Sequence, residues 1–84
     1  MSLELERERG ARARRLLEDD LYRDSFAKLR AALQASWEHS RPDDKEARER
    51  AYLELRLLSA LERDLETIMQ TGEMAGRQIE ARKK

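Results

Sequence analysis

The chain has 84 residues, 43% of them charged and 39% hydrophobic, with 18 basic and 18 acidic side chains in formal balance. This length allows one domain at most, and the lack of cysteine excludes disulfides and thiolate metal sites. No stretch approaches the roughly 18 apolar residues of a membrane span, and the paucity of β-branched residues against Leu, Ala, Glu, Arg and Gln makes the predicted class all-α.

Residues 2–17 read as a first helix, with Ser2 as N-cap and glutamates in the first turn. Its apolar stripe of Leu3, Ala13, Leu16 and Leu17 is narrow, and Gly10 interrupts it at a cost of about 1 kcal/mol relative to alanine. The segment is expected to fray without a partner. Arg7, Arg9, Arg12, Arg14 and Arg15 make it basic. Glu18-Asp19-Asp20 then supplies a cap, so the chain is expected to break there and start a new helix.

The second helix, Leu21 to about Glu38, carries Tyr22, Phe26, Leu29, Leu33 and Trp37 on one stripe, with Ala27, Ala31, Ala32 and Ala35 keeping parts of its surface small. The short loop His39-Ser40-Arg41-Pro42 predicts that the next helix returns antiparallel beside it. That next helix is the centre of the chain, from Asp43 to Thr71. Asp43 as N-cap with Glu46 three positions on has capping-box spacing, with Ser40 as a competing cap. Ala51, Leu55, Leu58, Leu61, Leu65 and Ile68 follow at steps of three and four, and the first five are expected to pack against Phe26, Leu29, Leu33 and Trp37. Phe26 and Trp37 are therefore expected to be largely buried. Leu57 widens the stripe and Leu53 and Tyr52 flank it, giving an apolar arc of roughly 160°. One neighbouring helix covers less than that, so Leu53, Leu57, Leu61 and Ile68 are candidate protein-interface residues.

Thr71-Gly72 reads as a helix C-cap, followed by a loosely helical tail with Met74, Ala75 and Ile79. Gly72 and Gly76 have the G-x-x-x-G spacing of packed membrane helices, but Glu73 and Arg77 argue against a membrane segment. The predicted organisation is thus a single domain over 1–84: a basic N-terminal arm (2–18), an antiparallel helical hairpin (20–71) and a C-terminal tail (72–84). Acid-then-base pairs four apart, Glu8/Arg12, Asp24/Lys28, Asp44/Arg48, Glu46/Arg50, Glu73/Arg77 and Glu80/Lys84, mark the solvated faces.

Chemistry has little to work with. His39 is the only imidazole and lies in a turn beside Ser40 and Asp43, where a thin helical pair offers neither pocket nor oxyanion site. Three or four convergent metal ligands are not evident, and the carboxylates stand at salt-bridge spacing. No enzyme, cofactor, metal or small-molecule substrate is expected. Arg9, Arg12, Arg14 and Arg15 form an acid-free basic run that could meet phosphates or an acidic partner. Against nucleic acid stand the zero net charge and the pI near 6.6, where a binding domain usually exceeds about 9, and no helix-turn-helix signature is evident.

Leu16-Leu17-Glu18-Asp19-Asp20, then Phe26, Trp37, Pro42-Asp43-Asp44, Ala47-Arg48-Glu49-Arg50-Ala51-Tyr52-Leu53 and finally Thr71-Gly72 with Ala75 resemble small helical proteins of tailed bacteriophages and prophages. The likeness covers residues 16–76 and leaves out both basic ends. It implies a context of virion assembly or DNA packaging and carries no catalytic residue.

Size supplies a further argument. Below roughly 70–80 residues a single core yields only a few kcal/mol, and small folds add disulfides, metals or oligomerisation. With the first two closed, the expectation is a non-enzymatic structural or assembly protein that forms a homo-oligomer or docks on a larger phage assembly. The alternative is a nucleic-acid-binding accessory, a packaging subunit or small regulator, using the Arg9–Arg15 arm. The first ten residues are too charged for a signal peptide, so the host cytoplasm or the virion is the expected location, with no membrane contact.

Overall fold

The computed structural model describes residues 2–83 and forms them into three α-helices with no strand. Helix α1 spans Leu3–Glu18 and opens as its sequence predicts, the Ser2 hydroxyl accepting from the Leu5 N–H at 3.1 Å. Asp19 ends it in an extended conformation, its N–H donating to the Leu16 carbonyl at 3.2 Å. One non-helical residue is enough for the break at the acidic triplet, because α2 begins at once and spans Asp20–Glu38.

The end of α2 is satisfied locally. His39 donates from both its backbone N–H and Nδ1 to the Ala35 carbonyl, at 2.9 and 2.7 Å. The Ser40 hydroxyl donates to the Trp37 carbonyl at 2.6 Å. These bonds occupy carbonyls that a helix end leaves without an intrahelical partner.

Helix α3 spans Lys45–Lys83 and departs from expectation at two places. Its cap is Asp44 rather than Asp43: the Ala47 N–H donates to Asp44 Oδ1 at 3.1 Å. Asp43 is drawn to Arg41 instead, at 3.3 Å, and a turn from Arg41 to Asp44 delays the start by one residue. Glu46 then falls one position short of capping-box spacing. Farther on, the end expected at Thr71-Gly72 does not occur. The helix runs through both residues, and Gly72 lacks the positive φ of a glycine C-cap.

The chain divides into two compact units, one joining α1 to α3 from Arg63 onward and the other joining α2 to α3 up to Glu62. In the first, the buried residues are Gly10 and Ala13 of α1 and Gly72, Ala75 and Ile79 of α3. Four of the five are Gly or Ala, so the backbones approach closely. The arm expected to need a partner has one here, supplied by the segment that reads as a tail in sequence.

In the second unit Ala51 and Leu58 are buried, while α2 contributes no fully buried residue. Phe26, Leu33 and Leu55 are half-buried, and the rings of Tyr22 and Phe26 meet at a tilt of 39° with centroids 5.3 Å apart. Trp37 is 43% exposed, which corrects the expectation of a core indole, and Leu29 is exposed as well. Trp37 sits in the last turn of α2, beside the loop that leads to α3, and is not closed over by the core. The Arg48 guanidinium covers part of the ring instead, 5.4 Å from its centroid.

Most of the four-apart ion pairs do not close. Asp44 caps α3, Arg48 lies over Trp37, and Glu73 turns to Arg14 at 3.5 Å rather than to Arg77. Glu8/Arg12, Asp24/Lys28 and Glu46/Arg50 are also not joined. Such exposed pairs are worth a few tenths of a kcal/mol, which any better partner or side-chain entropy outweighs. Lys84 lies outside the described residues, and Glu80 pairs with Lys83 at 3.5 Å.

Candidate interaction surfaces

Among the described residues no three His, Cys, Asp or Glu side chains converge as metal ligands, and no helix is long and apolar enough to cross a membrane. His39 spends Nδ1 on the end of α2. The described residues present several open surfaces.

The most apolar of them lies on α3. Leu53, Leu57 and Leu61 are 54%, 73% and 51% exposed. Each is four residues from the next, so the three form one row along the helix. Leu53 and Leu57 line a shallow groove with Glu46, Glu49, Arg50 and Glu54. Three large side chains this open in one row forgo part of the roughly 1.5–3 kcal/mol that full burial of each would supply.

Ile68, the fourth candidate, is placed differently. It is half-buried, lines a groove with Glu6, Arg9, Thr67 and Thr71, and has its carbonyl 3.1 Å from where a Cβ on Gly10 would lie. It belongs to the packing of α1 on α3, and the open row consists of the other three residues.

The basic run does not converge either. At ~100° per residue, Arg7 and Arg14 lie on one edge of α1, Arg9 on the other, and Arg12 and Arg15 on the side away from Gly10 and Ala13. Arg14 is held between Glu18 at 3.4 Å and Glu73 at 3.5 Å. Arg7 lays its aliphatic stem along α3, its Cδ 3.5 Å from where a Cβ on Gly76 would lie. Arg12 and Arg15 are exposed.

In the second unit a polar contact joins the helices where the sequence pattern predicts only apolar ones. Arg30 Nη1 donates to Ser59 Oγ at 3.2 Å, and its Nη2 lies 3.7 Å from Glu62. Near it the Tyr22 hydroxyl oxygen is shielded from solvent. Its pKa is raised above the usual tyrosine value, first by desolvation and then by the charge of Glu62. The close contact of Gly10 with Gly72 likewise lies where the sequence pattern predicts a helix end. The row of small residues Gly72, Ala75 and Gly76 carries it, since small side chains let a second helix approach closely whether or not a membrane is present.

No protein family matches the chain, and neither does any curated protein or solved structure.

Proposed function

We propose that this chain is a non-enzymatic helical assembly protein, acting by self-association or by docking on a larger complex, in the manner of small tailed-phage structural or assembly factors in the host cytoplasm or virion. The observation that carries the reading is the exposure of Leu53, Leu57 and Leu61 on one row of α3. The contacts of Arg30 with Ser59 and of Arg48 with Trp37 favour an antiparallel hairpin of α2 with the first part of α3 as the body that presents the row. Light scattering over a concentration series tests it. The wild type is expected to exceed the 9.9 kDa of one chain, and Leu57→Glu to return it toward monomer with its helicity retained. A folded, concentration-independent monomer for the wild type excludes self-association.

The nucleic-acid reading retains one supporting observation, the outward position of Arg12 and Arg15. With Arg14 engaged by Glu18 and Glu73, few cations remain for phosphates. Each phosphate contact on duplex DNA contributes about −0.9 to the slope of log affinity against log salt. Titration with duplex DNA at low salt is expected to show weak binding or none. Micromolar binding that an Arg12→Glu/Arg15→Glu variant abolishes would establish this second function.

A further inference from the structure

Helix α1 is an arm on a one-residue hinge. It belongs to the unit formed with α3 from Arg63 onward. The chain leaves it through Asp19, the single non-helical residue before α2 begins. Asp19 is exposed and extended, with φ −68° and ψ 124°. Residues at the ends of elements absorb large backbone rotations, so a change of ψ at Asp19 is enough to redirect the whole arm. The seat of the arm on α3 is narrowly specified. Arg7 lies beside Gly76 and Gly10 against Gly72, so the two helices run antiparallel. A Cβ on either residue of the glycine pair would lie 2.6 Å from the Cα of the other, and Arg14 reaches Glu73 at 3.5 Å. A helix seated here without a backbone shift must therefore carry a glycine at the crossing, and a cation four residues later gains the ion pair. Gly10 with Arg14 gives α1 both.

We infer that α1 is an exchangeable arm: in a self-associated pair, α1 of each copy seats on residues 63–83 of the other, in this same antiparallel register. The inference rests on the self-association proposed above and assigns it a second contact besides the leucine row. The occupant and its orientation follow from the seat itself, since the helix that fits it is the one the structure shows there.

Exchange conserves the contacts that α1 makes with α3, Gly10 on Gly72 and Arg14 with Glu73 included. Only the backbone of Asp19 has to change. Trading an identical element between copies is a low-cost route to a dimer for this reason, and two arms on two seats close as a two-fold pair. A copy already held at Leu53, Leu57 and Leu61 supplies the second seat at high effective concentration. The leucine row then brings the copies together and the arms lock them.

The test is complementation between two full-length variants, read by sedimentation equilibrium, with helicity followed by circular dichroism. Gly10→Leu spoils the arm and leaves the seat, while Gly72→Leu spoils the seat and leaves the arm. Each variant alone lacks a sound arm on a sound seat, and its dimer is expected to be weaker than wild type by about tenfold or more. On mixing, the intact arm of the Gly72→Leu chain meets the intact seat of the Gly10→Leu chain. The mixed pair should therefore be about tenfold tighter than either variant with itself, and helicity should rise on mixing. Arg14→Glu with Glu73→Arg repeats the test without crowding the crossing. Each alone sets like charges together, mixing restores opposite charges at both seats, and high salt should shrink the gain. A wild-type dimer whose variants gain nothing on mixing keeps α1 on its own chain, which overturns the exchange and leaves self-association standing. Glycine variants that dimerise as tightly as wild type overturn it in the same way. A wild type that stays monomeric at all concentrations removes self-association and the exchange together.

Discussion

Gly10 of α1 and Gly72 of α3 meet backbone to backbone: a Cβ built on either would lie 2.6 Å from the Cα of the other. No side chain fits there without moving a helix. Alanine for glycine inside a helix ordinarily gains about 1 kcal/mol, but overpacking of this kind costs about 1–3 kcal/mol. Gly10→Ala and Gly72→Ala are therefore expected to be destabilising on balance and to loosen α1. At Gly76 the nearest atom to a built Cβ is the flexible Arg7 Cδ at 3.5 Å, an ordinary contact. Gly76→Ala should gain up to about 1 kcal/mol. Urea denaturation of the three variants reads the contrast, and stabilisation by all three would show that the crossing is looser than described.

The cap of α3 offers a similar comparison between neighbours. Asp44→Ala removes the acceptor for the Ala47 N–H and should cost about 1 kcal/mol. Asp43→Ala removes only an exposed ion pair to Arg41 and should leave the melting temperature nearly unchanged. The reverse order would return the cap to Asp43.

Trp37 separates a surface indole from a core one. A fully buried tryptophan costs about 3–5 kcal/mol on truncation to alanine. At 43% exposure Trp37→Ala should cost distinctly less, with wild-type fluorescence intermediate between buried and fully hydrated indole. Arg48→Ala should remove about 0.5–1 kcal/mol through loss of the cation–π contact and should shift the emission to the red. An unchanged spectrum would place Arg48 away from the ring in solution.

Tyr22 makes stability fall at alkaline pH. Its folded pKa is raised above the unfolded value near 10, by desolvation first and Glu62 second. The stabilisation is thus fully present below about pH 10 and is lost as pH rises through the folded value. Tyr22→Phe should flatten this decline while leaving neutral-pH stability little changed. Denaturation midpoints between pH 8 and 11 decide it, and parallel curves for the two proteins would refute a role for this hydroxyl.

Helix formation and the positions of the helix breaks were decided locally. Abundant helix formers, the Ser2 cap, the acidic triplet before α2 and Pro42 with its neighbouring aspartates act within a few residues of themselves, and each does so without help from distant chain. The row of Leu53, Leu57 and Leu61 was legible for the same reason, because helical periodicity alone shows that α2 cannot cover all the leucines. What only tertiary structure decided is where the chain's ends go. A glycine followed by charged residues can end a helix or let another helix approach, and these outcomes look alike in sequence. The presence of Gly10 against Gly72 selects the second, carries α3 through to Lys83 and turns an arm and a tail into a packed pair. The exposure of Trp37 likewise depended on what lies against it, the Arg48 guanidinium, which its own spacing on α2 does not encode.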